Sequence, residues 1–116
     1  AADRTNQDVA YLYQPYHPAV LRLVDRIVRA GHAAGIPVAM CGEMAGDPIA
    51  VPILLGIGLD EFSMGAGSIL KTRQLMGTLN VHELQSLADT VLNSTSTSQE
   101  VITMVQAAVP GILDVR

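Results

Sequence analysis

A chain of 116 residues has the usual length of a single domain and buries about 65% of its unfolded surface on folding. With 49% hydrophobic and 16% charged residues and a mean hydropathy of +0.33, it is not a disordered or linker protein, because such a chain gains enough apolar burial to offset its ordering entropy. Seven basic against eleven acidic residues, net charge −4, with the basic ones scattered apart from the helical trio Arg22, Arg26 and Arg29, argue against the clustered basic face that nucleic-acid binding requires, so no nucleic-acid partner is expected.

Aromatic residues are 3% of the chain, Tyr11, Tyr13, Tyr16 and Phe62 without any Trp, which makes the expected core aliphatic. One cysteine, Cys41, rules out an internal disulfide framework or a Cys-rich zinc site and suits a reducing cytoplasm. The longest apolar run, Ile49 to Leu59, contains Pro52, Gly56 and Gly58 and is too short and too interrupted for membrane insertion. The opening Ala1-Ala2-Asp3-Arg4-Thr5-Asn6 has neither an initiator Met nor a signal-peptide segment; it reads as the interior of a longer chain or as a processed start.

Residues 1–16 are polar and Tyr-containing and read as a loop with one helical turn, in which Val9, Leu12 and Tyr16 are spaced for burial. From Pro18 the rhythm changes. Val20, Leu21, Leu23, Val24, Ile27, Val28 and Gly31 follow the i, i+3, i+4, i+7 pattern of an amphipathic helix, with Arg22, Asp25, Arg26 and Arg29 opposite, Pro18 at the start and Gly35 as the stop. Ile36 to Cys41 is apolar without alternation, as expected of a strand buried on both faces.

Asp47-Pro48 predicts an N-cap and first turn for a short helix to about Leu55, ended by Gly56 and Gly58 and shortened or bent by Pro52. Leu59 to Met64 predicts a second strand, and Ser68 or a residue near it a cap for a helix reaching about Met76. Strand, helix and strand in this order predict a parallel sheet with crossovers. Asn80 with Glu83 predicts a capping box for a helix carrying Val81, Leu84, Leu87, Ala88 and Val91 on one face. After a Ser/Thr loop over 93–98, Ser98 is the expected cap of a last helix that ends at Pro110-Gly111.

The chemistry concentrates in Met40-Cys41-Gly42-Glu43-Met44-Ala45-Gly46-Asp47-Pro48. The thiol falls at the C-terminal end of a predicted strand, the edge of an α/β sheet where ligands and catalytic groups gather. Pattern alone favours the plainer reading, a cysteine packed as a small buried hydrophobe, with Glu43 a solvated loop residue. Arg4 is either an anion ligand, since a guanidinium fork matches phosphate, or half of a surface ion pair. His17, His32 and His82 have no companion at metal-ligand spacing and read as surface or helix-end residues, and the five methionines read as core fillers.

Taken together, Asp3-Arg4-Thr5-Asn6, Leu12-Tyr13-Gln14-Pro15, His17-Pro18-Ala19-Val20-Leu21, Met40 to Asp47 and Gly58 to Met64 with Ser68-Ile69 resemble the C-terminal part of the Enzyme I family. These are the phosphoenolpyruvate-protein phosphotransferases of the bacterial sugar phosphotransferase system. The likeness runs from residue 1 to about residue 106. The Cys-Gly-Glu element is shared with pyruvate phosphate dikinase and phosphoenolpyruvate synthase, whereas Glu-Met-Ala-Gly-Asp and Asp-Glu-Phe-Ser-Met favour Enzyme I.

The resemblance implies an α/β fold: the C-terminal portion of a (β/α)₈ TIM-type barrel, its last two strands with their helices plus terminal helices, incomplete as a domain. Residues 1–16 would be an active-site loop region, 17–79 the β/α units and 80–109 the terminal helices. A whole barrel of this type takes about 250 residues.

It implies further that phosphoenolpyruvate and Mg²⁺ bind at the C-terminal face of the barrel. The phosphoryl group passes to a histidine on a separate N-terminal domain and on to the phosphocarrier protein HPr, releasing pyruvate. Cys41 matches the family's catalytic cysteine, which protonates the methylene carbon of enolpyruvate; an ordinary thiol, with a pKa of about 8.5, keeps that proton at neutral pH yet can donate it to a carbanion-like acceptor. Arg4 matches an arginine that grips the substrate phosphate, and Gly42 and Glu43 belong to the loop beside the cysteine.

The family's Gly-Thr-Asn-Asp run and the Mg²⁺ ligands are expected upstream, so no metal ligand is assigned in this chain. None of the three histidines matches the phosphoryl acceptor, and Gly65-Ala66-Gly67 stands where the family commonly has Ser, Ala and Thr. The isolated chain is therefore expected to be inactive, within a cytoplasmic parent that dimerises through this region. Alternatives are the equivalent segment of pyruvate phosphate dikinase or phosphoenolpyruvate synthase, or a non-catalytic assembly module that associates with copies of itself through open strand edges.

Overall fold

The computed structural model describes residues 2–112; Ala1, the first residue of the expected active-site loop, lies outside them. A 3₁₀ turn over Gln7–Leu12 is followed by α1 (Pro18–Ala33), β1 (Ala39–Cys41), a second 3₁₀ turn (Glu43–Gly46), α2 (Ala50–Ile57), β2 (Glu61–Ser63), α3 (Ala66–Gly77), α4 (Val81–Ser94) and α5 (Ser98–Ala108). The fold is mostly helical α/β. β1 and β2 pair in parallel, Ala39 with Glu61, Met40 with Phe62 and Cys41 with Ser63, joined by the crossover that parallel strands require.

α2 is the centre of the molecule. Ala50, Val51, Ile53 and Leu54 are wholly buried, as expected of a short helix that is apolar all round. The Asp47 carboxylate opens it: Oδ1 accepts the backbone N–H groups of Ile49 at 2.8 Å and Ala50 at 3.2 Å. Pro52 falls in the first turn, where its missing N–H leaves no intrahelical bond unmade. Gly56 does not end α2 as expected; the helix runs to Ile57, and Gly58 caps it with a left-handed backbone.

What Gly56 supplies is proximity. A Cβ built there would lie 2.1 Å from the Leu84 carbonyl oxygen of α4 and 2.9 Å from the Ala88 Cβ. Because the obstruction is backbone, the Gly56→Ala variant must push α2 and α4 apart, and we expect it to lose about 3 kcal/mol of stability. Urea unfolding of the variant against the parent sequence measures this; coincident midpoints would mean that the helices separate freely.

The main core gathers Leu21 of α1, Val51 and Ile53 of α2, Leu75 of α3, Leu84, Leu87 and Val91 of α4, and Val101 and Val105 of α5. A second cluster, Val28, Ala50, Leu54 and Leu59, packs against Met40 and Phe62 of the strands. Asn80 caps α4 as expected, its side chain accepting the N–H groups of His82 and Glu83. Arg22 spans to the other end of α4, where its Nε donates to the Leu92 carbonyl at 2.8 Å and its Nη2 to that of Thr95 at 2.9 Å. Orphan carbonyls at a helix C-terminus are natural partners for a cation.

Several expectations are corrected. The first strand has three residues rather than six and is not buried on both faces: Met40 is half-buried while Ala39 and Cys41 are exposed. In α1 only Pro18, Leu21 and Val28 are buried, whereas Leu23 and Ile27 remain 59% and 60% exposed. In both cases a covering layer is absent among the described residues. None of Val9, Leu12 and Tyr16 is buried, and the first 3₁₀ turn buries no residue. Val81 is exposed, Gly65 rather than Ser68 precedes α3, α4 extends to Ser94, and Thr97 rather than Ser98 caps α5.

A polar clamp ties the N-terminal edge of the sheet. Asp60 Oδ2 accepts the Val38 N–H at 2.8 Å and the His32 Nε2–H at 2.7 Å, joining the end of α1 to both strands. The Val38 hydrogen bond, helped by His32, holds the Asp60 carboxyl below the usual carboxylate range. A carboxyl lowered in the folded state stabilises the protein above its unfolded pKa of about 3.9 and loses that contribution as pH falls through the folded value. Asp60→Asn should therefore be less stable at pH 7 yet show a smaller drop in urea midpoint between pH 7 and pH 3. An unaltered acid limb would assign that sensitivity to other carboxyls, such as Asp3, which Thr5 also lowers.

Candidate functional site

Parallel pairing sets Cys41 and Ser63 side by side at the C-terminal ends of their strands, and both are exposed. Period-2 alternation explains this: Met40 and Phe62 turn toward the helices while their neighbours turn away. The expectation of a buried cysteine is overturned, for Cys41 is free and exposed. Directly after it Gly42 has φ 103° and ψ −172°, a region that other residues avoid, and this bends the chain out of the strand into the 3₁₀ turn. The Ala45 N–H closes that turn on the Gly42 carbonyl at 3.2 Å.

Arg4 reaches this loop from the other end of the sequence. Its Nη1 donates to Glu43 Oε2 at 2.8 Å, with the two side chains 57% and 73% exposed. Glu43 foremost, and then Tyr13, raise the Arg4 pKa further above its ordinary value. Both readings of Arg4 thus meet in one place: it is a surface ion pair, and its partner stands two residues from the thiol. The segment bearing it is shaped locally, with Asp3 Oδ1 accepting the Thr5 N–H and hydroxyl at 2.9 and 2.7 Å and Asn6 capping the first 3₁₀ turn through Asp8.

A cleft of about 330 Å³ opens between the loops that follow β1 and β2, lined by Gly42, Glu43 and Gly46 on one side and Ser63, Met64, Gly65 and Ser68 on the other. Ser63 and Ser68 line this cleft, although the sequence offers Ser68 only as a helix cap and neither serine as a site residue. Ser63 was legible in principle, since Glu-Phe-Ser ends its strand as Ala-Met-Cys ends the other. The histidines lie at helix ends as expected: His17 caps α1, His32 closes α1 against Asp60, and His82 enters α4. Of the basic trio in α1, Arg22 is engaged by α4 and Arg29 by Asp25.

Among the described residues no group of three or more His, Cys, Asp or Glu side chains could hold a metal ion. The acidic groups of the site are committed, Glu43 to Arg4 and Asp3 to Thr5, so these side chains do not by themselves fit Mg²⁺. Among the same residues no helix is long and apolar enough to cross a membrane.

Residues 1–81 match the PEP-utilising enzyme, PEP-binding domain. The chain belongs to the PEP-utilising enzyme family. Within it, the chain is similar to the phosphoenolpyruvate-protein phosphotransferase of Enterococcus faecalis, 56% identical over 106 residues, and to those of Priestia megaterium, 56% over 107 residues, and Lactococcus lactis subsp. lactis, 52% over 106 residues. These alignments cover 91–92% of the chain but 18% of each relative, so the chain spans under a fifth of their length. Arg4, Cys41, Gly42 and Glu43 fall inside the matched span of residues 1–81.

Proposed function

We propose that the chain is part of the PEP-binding catalytic domain of a phosphoenolpyruvate-protein phosphotransferase. In this reading residues 1–16 form an active-site loop, 17–79 the last β/α units of a (β/α)₈ barrel and 80–109 its terminal helices. The uncovered sheet face, carrying Ala39, Cys41, Glu61 and Ser63, supports the barrel, because inward-facing side chains of a barrel are covered by strands from the rest of the ring.

What supports the activity most is the exposure of Cys41 at a C-terminal strand end, with Arg4 carried to the same loop by Glu43. The Arg4 guanidinium binds the substrate phosphate and steadies charge on its oxygens. As the phosphoryl group leaves for a histidine of a domain outside this chain, the bond from phosphorus to the bridging oxygen breaks and its electron pair stays on that oxygen, giving the enolate of pyruvate. The Cys41 S–H then delivers its proton to the methylene carbon to give pyruvate, and water restores the thiol. Gly42 and Glu43 support the loop rather than react.

The parent acts in the cytoplasm, uses Mg²⁺ held by carboxylates outside these residues, passes the phosphoryl group to an HPr-like carrier and dimerises through this region. The exposed α1 stripe, Leu23 and Ile27, supports burial against further barrel elements or a second copy. The test is the intact parent supplied with phosphoenolpyruvate, Mg²⁺ and carrier: we expect stoichiometric pyruvate and acid-labile protein-bound phosphate. No PEP-dependent pyruvate release would overturn the proposal.

A further inference from the structure

The 3₁₀ turn after Cys41 is gripped at both ends by one other segment. At its first residue Glu43 pairs with Arg4. Immediately after its last, Asp47 accepts a hydrogen bond at Oδ2 from the Tyr16 hydroxyl. The same carboxylate opens α2 through Oδ1, and the Asp47 N–H donates to the Met44 carbonyl at 3.3 Å, so any shift of Asp47 is passed to both the turn and the central helix.

Tyr16 is well placed to fix this position. Its half-buried ring packs against both hydrophobic clusters, so the hydroxyl is delivered from an immobile base. Burial first, and then Asp47, raise its pKa well above the ordinary phenol value, which keeps it a donor throughout the working range. Between the two anchors the chain has little else to hold it: the first 3₁₀ turn buries no residue, and a remaining tie to the body is the exposed hydrogen bond from Ser98 Oγ to Gln14 Oε1 at 2.9 Å.

We infer that Tyr16 and Asp47 form a positioning pair that holds the Arg4-bearing segment in register with the loop after Cys41, and so fixes where the guanidinium stands relative to the thiol. The pair touches no reacting atom; it acts through the placement of Arg4. The catalytic consequence rests on the proposed roles of Arg4 and Cys41, whereas the anchoring does not.

Tyr16→Phe in the intact parent removes the hydroxyl and keeps the ring. Hydrogen exchange should quicken in residues 2–13 and 43–46 while α4 and α5 stay protected, and kcat/KM for phosphoenolpyruvate should fall about tenfold, the scale of a small misplacement of a binding group. In an Arg4→Ala background the same substitution should change kcat/KM by less than about twofold, because the group being positioned is already gone. A merely structural tyrosine would lose activity equally in both backgrounds, and that result would overturn the inference. Unchanged exchange in both segments, or unchanged kcat/KM in the otherwise native parent, would overturn it as well. A native parent that releases no pyruvate would defeat the proposed function, while the exchange measurement still decides whether the pair anchors the segment.

Discussion

Cys41→Ala in the intact parent should lower the kcat for pyruvate formation from phosphoenolpyruvate by about 10³-fold, within the range contributed by a positioned general acid. KM should change little, because a thiol that delivers a proton late contributes to the transition state rather than to ground-state binding. The competing role, structural packing, is weakened by the geometry: Cys41 is exposed, it belongs to neither hydrophobic cluster, and among the described residues no strand covers its face of the sheet. Alanine keeps β1 in register, since it removes one sulfur atom from an uncovered position. The unfolding midpoint should therefore be unchanged while turnover collapses. Cys41→Ser should fail nearly as badly despite its hydroxyl, which is far less acidic than a thiol. Turnover within about threefold of the native protein in the alanine variant would remove Cys41 from the proton-delivery step.

The distance over which a contact is specified decides what the sequence discloses. Asp47 opening α2 and Asn80 capping α4 are short-range arrangements, settled by side chains and N–H groups within three residues of each other, and both are readable as N-caps. Of the α4 stripe, Leu84, Leu87, Ala88 and Val91 are buried as its period predicts, while Val81 at its start is exposed. The α1 stripe has equal periodicity, yet Leu23 and Ile27 are exposed, because periodicity reports that a face is apolar and not that a partner covers it. The same limit explains Cys41. An unalternating run suggests two buried faces, but burial of the second requires elements not found among these residues. Arg4 with Glu43 and Tyr16 with Asp47 lie 39 and 31 positions apart in sequence, and no spacing rule links either pair. Once the family likeness is admitted, Arg4 and Cys41 are named together, but Tyr16 emerges only from the packed structure.

Arg4→Ala should reduce kcat/KM for phosphoenolpyruvate by about 10²-fold or more, the loss typical of removing one preorganised donor to a developing charge. Glu43 engages the guanidinium through a single nitrogen, Nη1, and so does not occupy the whole fork that would meet phosphate oxygens. Both partners are largely exposed, and solvent-exposed ion pairs contribute little to stability, so substrate can recruit Arg4 without dismantling anything the fold depends on. Arg4→Ala should accordingly leave the unfolding midpoint where it was. In the proposed reading Glu43 is a rest for the arginine rather than a ligand, so Glu43→Gln should alter kcat/KM by less than about threefold. Arg4→Lys should recover only part of the loss, since an ammonium keeps the charge but not the planar fork that meets two phosphate oxygens at once. The ordering Arg4→Ala worst, Arg4→Lys intermediate and Glu43→Gln near native separates phosphate binding from mere loop support. If Glu43→Gln proved as damaging as Arg4→Ala, the ion pair itself would be the functional unit, and an unchanged KM and kcat in Arg4→Ala would place the substrate phosphate elsewhere.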